Sequence, residues 1–112
     1  MCELTQTDDE TTLPALRVEI YPEADHVVVA VCDEVDMVNA EQLPALVVAA
    51  ASGYRSVLID LAEVTFVDSS GLRALLMCEA ALARDGVAVR LVNPAEQARR
   101  VLEIAGLAYL LG

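Results

Sequence analysis

The chain has 112 residues, 18 acidic side chains against 7 basic ones, a formal net charge of -11 and 56% hydrophobic residues. This length fits one domain, which can bury about two-thirds of its surface and close a core without metals or disulfides, and the apolar content excludes intrinsic disorder. The acidic balance argues against a nucleic-acid partner, since phosphate backbones are bound by clustered Lys and Arg; all seven basic residues are Arg, so no lysine can act as a Schiff-base nucleophile.

Residues 1–14 are polar and acidic and end at Pro14. They are expected to form a flexible tail before a domain covering 15–112. The start, Cys2-Glu3-Leu4-Thr5-Gln6-Thr7-Asp8-Asp9-Glu10, lacks the basic and apolar segments of a signal peptide. The longest apolar run, Ala45 to Ala51, is far short of the ~20 residues that span a bilayer. The expectation is a cytoplasmic protein without membrane contact.

Leu16 to Tyr21 alternates apolar and polar residues and reads as a half-buried strand. Pro22 to Asp25 is a turn, and His26 to Cys32 is a continuous β-branched run expected to be covered on both faces and to pair with the first strand as a hairpin. Asn39 can cap a helix running to about Ser52, with Gly53 as its stop. Counted from Asn39, Pro44 lies past the first turn, so the helix is either distorted or begins later.

Ser56 to Leu61 is a second apolar strand, and Val64 to Val67 leads into Asp68-Ser69-Ser70-Gly71. A helix follows, with Leu72, Leu75, Leu76, Ala80 and Leu82 on or near one face, and ends at Asp85-Gly86. Val87 to Val92 is a further strand. Asn93 as cap and Pro94 at the first helical position start a last helix that Gly106 stops near Ala105. Leu107 to Leu111 should pack back on the core. The order β-β-α-β-α-β-α predicts an α/β domain: a mixed sheet of four to five strands packed with α-helices.

Three cysteines, Cys2, Cys32 and Cys78, match no zinc pattern. Cys32 and Cys78 read as buried small hydrophobes and Cys2 as a tail thiol, with a redox pair among them left open. No metal or cofactor is expected. Met77 and Cys78 are assigned to core packing, Arg99 and Arg100 to a solvated helix face.

The chemistry concentrates where a buried strand delivers two hydroxyls to a helix start. That position carries unsatisfied N–H groups and about half a positive charge, so a phosphate there would be stabilised. Ser69 lies nearest the helix entrance, and Arg73 is one turn further on. The same residues are also what capping alone would select, with Gly71 there for close packing. A hydrolase-like nucleophile is disfavoured: the Gly-x-Ser-x-Gly elbow lacks its first glycine, and the only histidine, His26, is placed at the start of a strand.

The stretch Val57-Leu58-Ile59-Asp60-Leu61 followed by Val64-Thr65-Phe66-Val67-Asp68-Ser69-Ser70-Gly71-Leu72 resembles the STAS domain of bacterial anti-sigma factor antagonists. Asp33-Glu34-Val35-Asp36 before a helix is similar to the family's Gly-Glu-Leu-Asp, and Arg100 to Leu107 resembles its final helix. The three matches come in the family's order and span about 16 to 111. The resemblance implies a STAS-like single domain that is not an enzyme. It implies phosphorylation of Ser69 by an anti-sigma factor that is itself a serine kinase and holds the ATP. Asp68 would orient the hydroxyl, and Asp36, Ser70, Gly71 and Arg73 would join the partner surface. Unphosphorylated, such a domain captures the anti-sigma factor and frees the sigma factor; phosphorylated, it lets go. One departure matters, Asp33, where the family usually has Gly; Asp tolerates left-handed backbone better than most residues, so the turn can survive, while its shape near Asp36 is left open. Other STAS domains act as stress-signalling scaffolds, in lipid-transport complexes or as anion-transporter tails, which is the alternative reading. Self-association and the identity of the partners are left open.

Overall fold

Strands β1 (Arg17–Pro22) and β2 (His26–Val35) form the expected antiparallel hairpin, with Val18 opposite Val31 and Ile20 opposite Val29. These relationships come from a computed structural model that describes residues 16–112. The expected tail and Cys2 lie outside the described residues. Strand β3 (Ser56–Val67) pairs in parallel with β2, and β4 (Ala88–Val92) in parallel with β3, so the order in the mixed sheet is β1-β2-β3-β4. Leu111 adds a single parallel bridge to Leu91, a rudiment of a fifth strand.

Val27, Val29 and Val31 of β2, Val57, Ile59 and Leu61 of β3, and Val89 and Leu91 of β4 point to one side and enter a single core. Coverage of β2 on its second face is only partial, with Cys32 buried there. Val28 and Ala30 are only partly buried, because every helix contributes its buried residues to the one core on the other side. The run is apolar throughout because small residues also suit a half-covered sheet face.

The two apolar pieces read from the sequence, 56–61 and 64–67, are one strand. Ten residues of β2 run beside twelve of β3, and the register shifts between Ala30 and Cys32 and between Asp33 and Glu34 absorb the difference. Each shift places one extra residue on β3. The buried positions record this: 57, 59 and 61 are two apart, while 61, 64 and 67 are three apart. Asp60 Oδ1 accepts the N–H of Ala62 at 2.9 Å, satisfying a group that the first irregularity frees.

Helix α1 (Gln42–Ala50) begins later than Asn39. Pro44 therefore lies in the first turn, where its missing N–H costs no hydrogen bond. Asn39 does not cap this helix; it braces the preceding loop, as described below. Helix α2 (Ser69–Ala83) buries Gly71, Ala74, Leu75, Cys78 and Leu82, while Leu76 and Ala80 of the expected face are exposed. The inward stripe is set by Gly71, three positions before Ala74, and not by the leucine count.

Helix α3 (Glu96–Ile104) starts two residues later than Asn93-Pro94 implied, with Ala95 at its cap and Asn93 in the left-handed region (φ 57). Its end is as expected. Gly106 adopts φ 80, Leu107 N–H donates to Leu102 C=O at 2.8 Å and Gly106 N–H to Glu103 C=O at 3.1 Å, a Schellman closure. A short 3-10 turn (Ala108–Leu110) then buries Leu110, and the Tyr109 hydroxyl donates to Glu79 Oε1 at 3.0 Å, tying this turn to α2. Arg99 and Arg100 are exposed, and Arg100 pairs with Glu96 one turn earlier at 3.2 Å. Among the described residues no helix is long and apolar enough to cross a membrane.

Cys78 is a free, fully buried thiol; desolvation pushes its pKa up to about 12. Cys32 is buried as expected, and it is engaged in a disulfide, a pairing that the sequence left open.

Candidate functional site

The site lies where β3 ends and α2 begins. Asp68 is the N-cap: its backbone is extended (φ -109, ψ -169) and its Oδ1 accepts the N–H of Gly71 at 3.0 Å. The Asp68 N–H donates to Val35 C=O at 3.3 Å, and its C=O accepts the first intrahelical bond from Leu72 N–H at 3.0 Å. Capping, one of the two roles read from the sequence, is thus real for Asp68. Its carboxylate faces the helix N–H groups, leaving the two serine side chains uncommitted to the cap.

Gly71 is required by proximity. A Cβ built on it would lie 2.7 Å from Val35 O, 2.9 Å from Val67 Cγ1 and 3.1 Å from Val35 Cγ1. Only a residue without a side chain lets α2 start this close to the ends of β2 and β3. The close approach fixes where the first turn of α2 emerges, and Ser69, the first helical residue, is exposed there.

Ser69, Ser70, Arg73, Ala74 and Met77 form one wall of a groove of about 690 Å³; Met37, Ala40 and Glu41 form the other. Residues 69, 73 and 77 follow the four-residue spacing of one helix face. Arg73 is exposed and makes no ion pair among the described residues. The groove therefore holds an accessible hydroxyl at the positive end of a helix with an uncommitted guanidinium one turn away. An anion on Ser69 would lie at the N-terminal end of α2, one helical turn from Arg73.

Asp36 stands apart from this groove. It lines a neighbouring depression with Arg17, Asp33, Glu34, Val38, Asn39 and Thr65. Its Oδ1 accepts Val38 N–H at 3.0 Å, while Asn39 bridges the loop, accepting Asp36 N–H on Oδ1 at 3.1 Å and donating from Nδ2 to Glu34 C=O at 2.9 Å. Asp33 does adopt the left-handed conformation, at φ 67, and its carboxylate pairs with Arg17. The turn thus survives without glycine, and the Asp36 loop is held by its own side chains. This loop in turn presents Met37, 75% exposed, at the rim of the groove.

The structure thus brings Ser69, Ser70 and Arg73 together on one surface, with Asp68 and Gly71 fixing the helix start beneath them. Four contributors went unread in the sequence: Met37, Glu41, Met77 and Gln97. Met77 is 52% exposed on the groove wall and does not belong to the core, a correction that its spacing from Ser69 and Arg73 could have signalled. Gln97 Oε1 accepts Val67 N–H at 3.1 Å and its Nε2 donates to Val67 C=O at 3.3 Å. Nothing in the local sequence marks that long-range contact.

His26 opens β2 while Val35, at the other end of the strand, touches Asp68. Nine residues of strand put the imidazole about 30 Å from the Ser69 end of the sheet, out of reach as a base. Among the described residues no group of three His, Cys, Asp or Glu could hold a metal ion.

The family model described as "Mlab, STAS domain" matches residues 21–112. No curated protein matches the chain by sequence. Among solved structures, the anti-sigma factor antagonist SpoIIAA in its unphosphorylated form superposes with a TM-score of 0.72 at 22% identity, over 85% of each chain. The phosphorylated form of SpoIIAA, the Bacillus cell fate determinant, gives 0.65 at 22% identity, over 85% of this chain and 88% of that one. An anti-sigma factor antagonist from Mycobacterium paratuberculosis gives 0.70 at 27% identity, over 86% and 82%.

Proposed function

The chain belongs to the STAS-domain family, and on that premise we propose that it is an anti-sigma factor antagonist switched off by phosphorylation of Ser69. The observation that carries this reading is the exposed Ser69 hydroxyl at the first position of α2, on a groove wall shared with Arg73. The existence of SpoIIAA in both phosphorylation states supports it. Unmodified, the groove and its methionines would receive a cytoplasmic anti-sigma factor with serine kinase activity, displacing the sigma factor from it. Met37, Met77, Ser70 and Arg73 supply the contact surface; Asp68, Gly71 and the Asp36 loop hold its shape. The kinase brings the ATP.

Transfer to Ser69 adds about -1.5 to -2 charge units and three strong acceptors, taking the net charge from -11 to roughly -13. Arg73 and the helix N-terminus stabilise the product within this domain, while a partner surface fitted to a neutral hydroxyl meets a dianion. A loss of ~3 kcal/mol at that interface weakens binding more than a hundredfold. The switch therefore needs no refolding.

The test is incubation with candidate anti-sigma kinases and ATP, with the modified serine located by fragmentation. Phosphate on Ser69, its loss in Ser69→Ala, and weaker kinase binding by the phosphorylated form are expected. Equal affinity of the two forms would defeat the proposal. A second reading, a STAS adaptor subunit that works without serine chemistry, is compatible with the same family match. Its sign would be a stable partner complex indifferent to Ser69→Asp.

A further inference from the structure

We propose that Gln97, on α3, is the positioning residue that sets the Ser69 hydroxyl for phosphoryl transfer; this rests on the reading of Ser69 as phosphoacceptor. Pairing between β3 and β4 ends at Asp60 and Val92, so the last stretch of β3 has no β4 neighbour. In a strand the N–H and C=O of one residue point to the same side, and those of Val67 point toward the side β4 has vacated. The Gln97 carboxamide fills that place, accepting from Val67 N–H at 3.1 Å and donating to Val67 C=O at 3.3 Å. It pairs with Val67 as a strand residue would.

On the opposite side, Asp68 N–H is held by Val35 C=O at 3.3 Å. The dipeptide immediately before Ser69 is thus gripped from both flanks, by β2 through its backbone and by α3 through one side chain. Gly71, pressed against Val35, fixes the following turn. Of these restraints only the Gln97 pair comes from an element beyond β4. Gln97 does not line the groove, so it acts on Ser69 through Val67 and not by touching the phosphate donor.

The experiment compares wild type, Gln97→Met and Gln97→Ala as substrates of the kinase that modifies Ser69, with each variant's fold checked by circular dichroism. Gln97→Met keeps the stem and loses both hydrogen bonds; Gln97→Ala leaves room for water at Val67. A misplaced hydroxyl should lower kcat by roughly tenfold or more while KM stays within about twofold. A folded variant with unchanged kcat, or one whose loss lies entirely in KM, overturns the proposal. So does rapid amide exchange at Val67 in the wild type, a measurement that needs no variant to fold. If wild type takes no phosphate on Ser69, the reading of the site falls, and the role of Gln97 with it; normal labelling of wild type and of both variants removes Gln97 alone.

Discussion

Replacing Gly71 by alanine separates close packing from helix propensity, because the two effects have opposite signs. In an open helix the change would stabilise by up to about 1 kcal/mol. Here the new methyl would lie 2.7 Å from Val35 O and 2.9 Å from Val67 Cγ1, both in the buried ends of strands that cannot swing aside. Overpacking of this kind costs typically 1–3 kcal/mol, and displacing α2 also weakens the Asp68–Val35 hydrogen bond, worth about 1 kcal/mol. Setting these against the propensity gain leaves a net destabilisation of about 2 kcal/mol. With an unfolding entropy of about 2.1 cal/mol/K per residue over 112 residues, that lowers Tm by about 8 °C. Calorimetry and urea denaturation read it directly. A Gly71→Ala protein as stable as wild type, or more so, would refute the claim that α2 is seated by contact with Val35.

Asp68→Ala should cost about 1 kcal/mol by urea denaturation through loss of the cap, whereas Asp68→Asn, which can still accept from Gly71 N–H, should cost much less. Asp33→Val forces a β-branched residue to φ 67 and removes the pair with Arg17; a loss of about 1–2 kcal/mol is expected, against about 0.5 kcal/mol or less for Asp33→Gly. Cys78 should resist thiol reagents in the native protein at neutral pH and react only on unfolding. Because burial raises its folded pKa from 9.0 to about 12, the stability it supports is intact below pH 9 and is lost as pH climbs toward 12. Cys78→Ala should flatten that part of a pH–stability curve; an unaltered slope would count against the assignment.

Element order and the position of Ser69 were legible because they depend on local signals: alternation at 16–21, Asp-Ser-Ser-Gly before a helical pattern, and glycine at the helix ends. Boundaries were misread where a polar residue had a competing use. Asn39 and Asn93 both look like helix caps, yet one spends its side chain on Glu34 and Asp36 and the other takes up a left-handed turn. The continuity of β3 was hidden because two irregularities break the period of two, although the spacing 61, 64, 67 is their imprint. The groove was half legible: one wall follows a helix face, but the other comes from the loop before α1, and no local pattern ties Met37 to Ser69. Gln97 lies thirty positions from the backbone it holds, beyond any periodicity.

The sheet order matches the chain order, strand after strand. Each strand can therefore be laid beside the one synthesised just before it, and none has to be inserted between two already joined, which favours assembly in step with emergence from the ribosome. The serine turn is built midway through this process, and its last restraint arrives only when α3 has been made. A nascent chain not yet extended through α3 would have the serine turn without the Gln97–Val67 hydrogen bonds, so the turn gains this restraint only after β4 has been made.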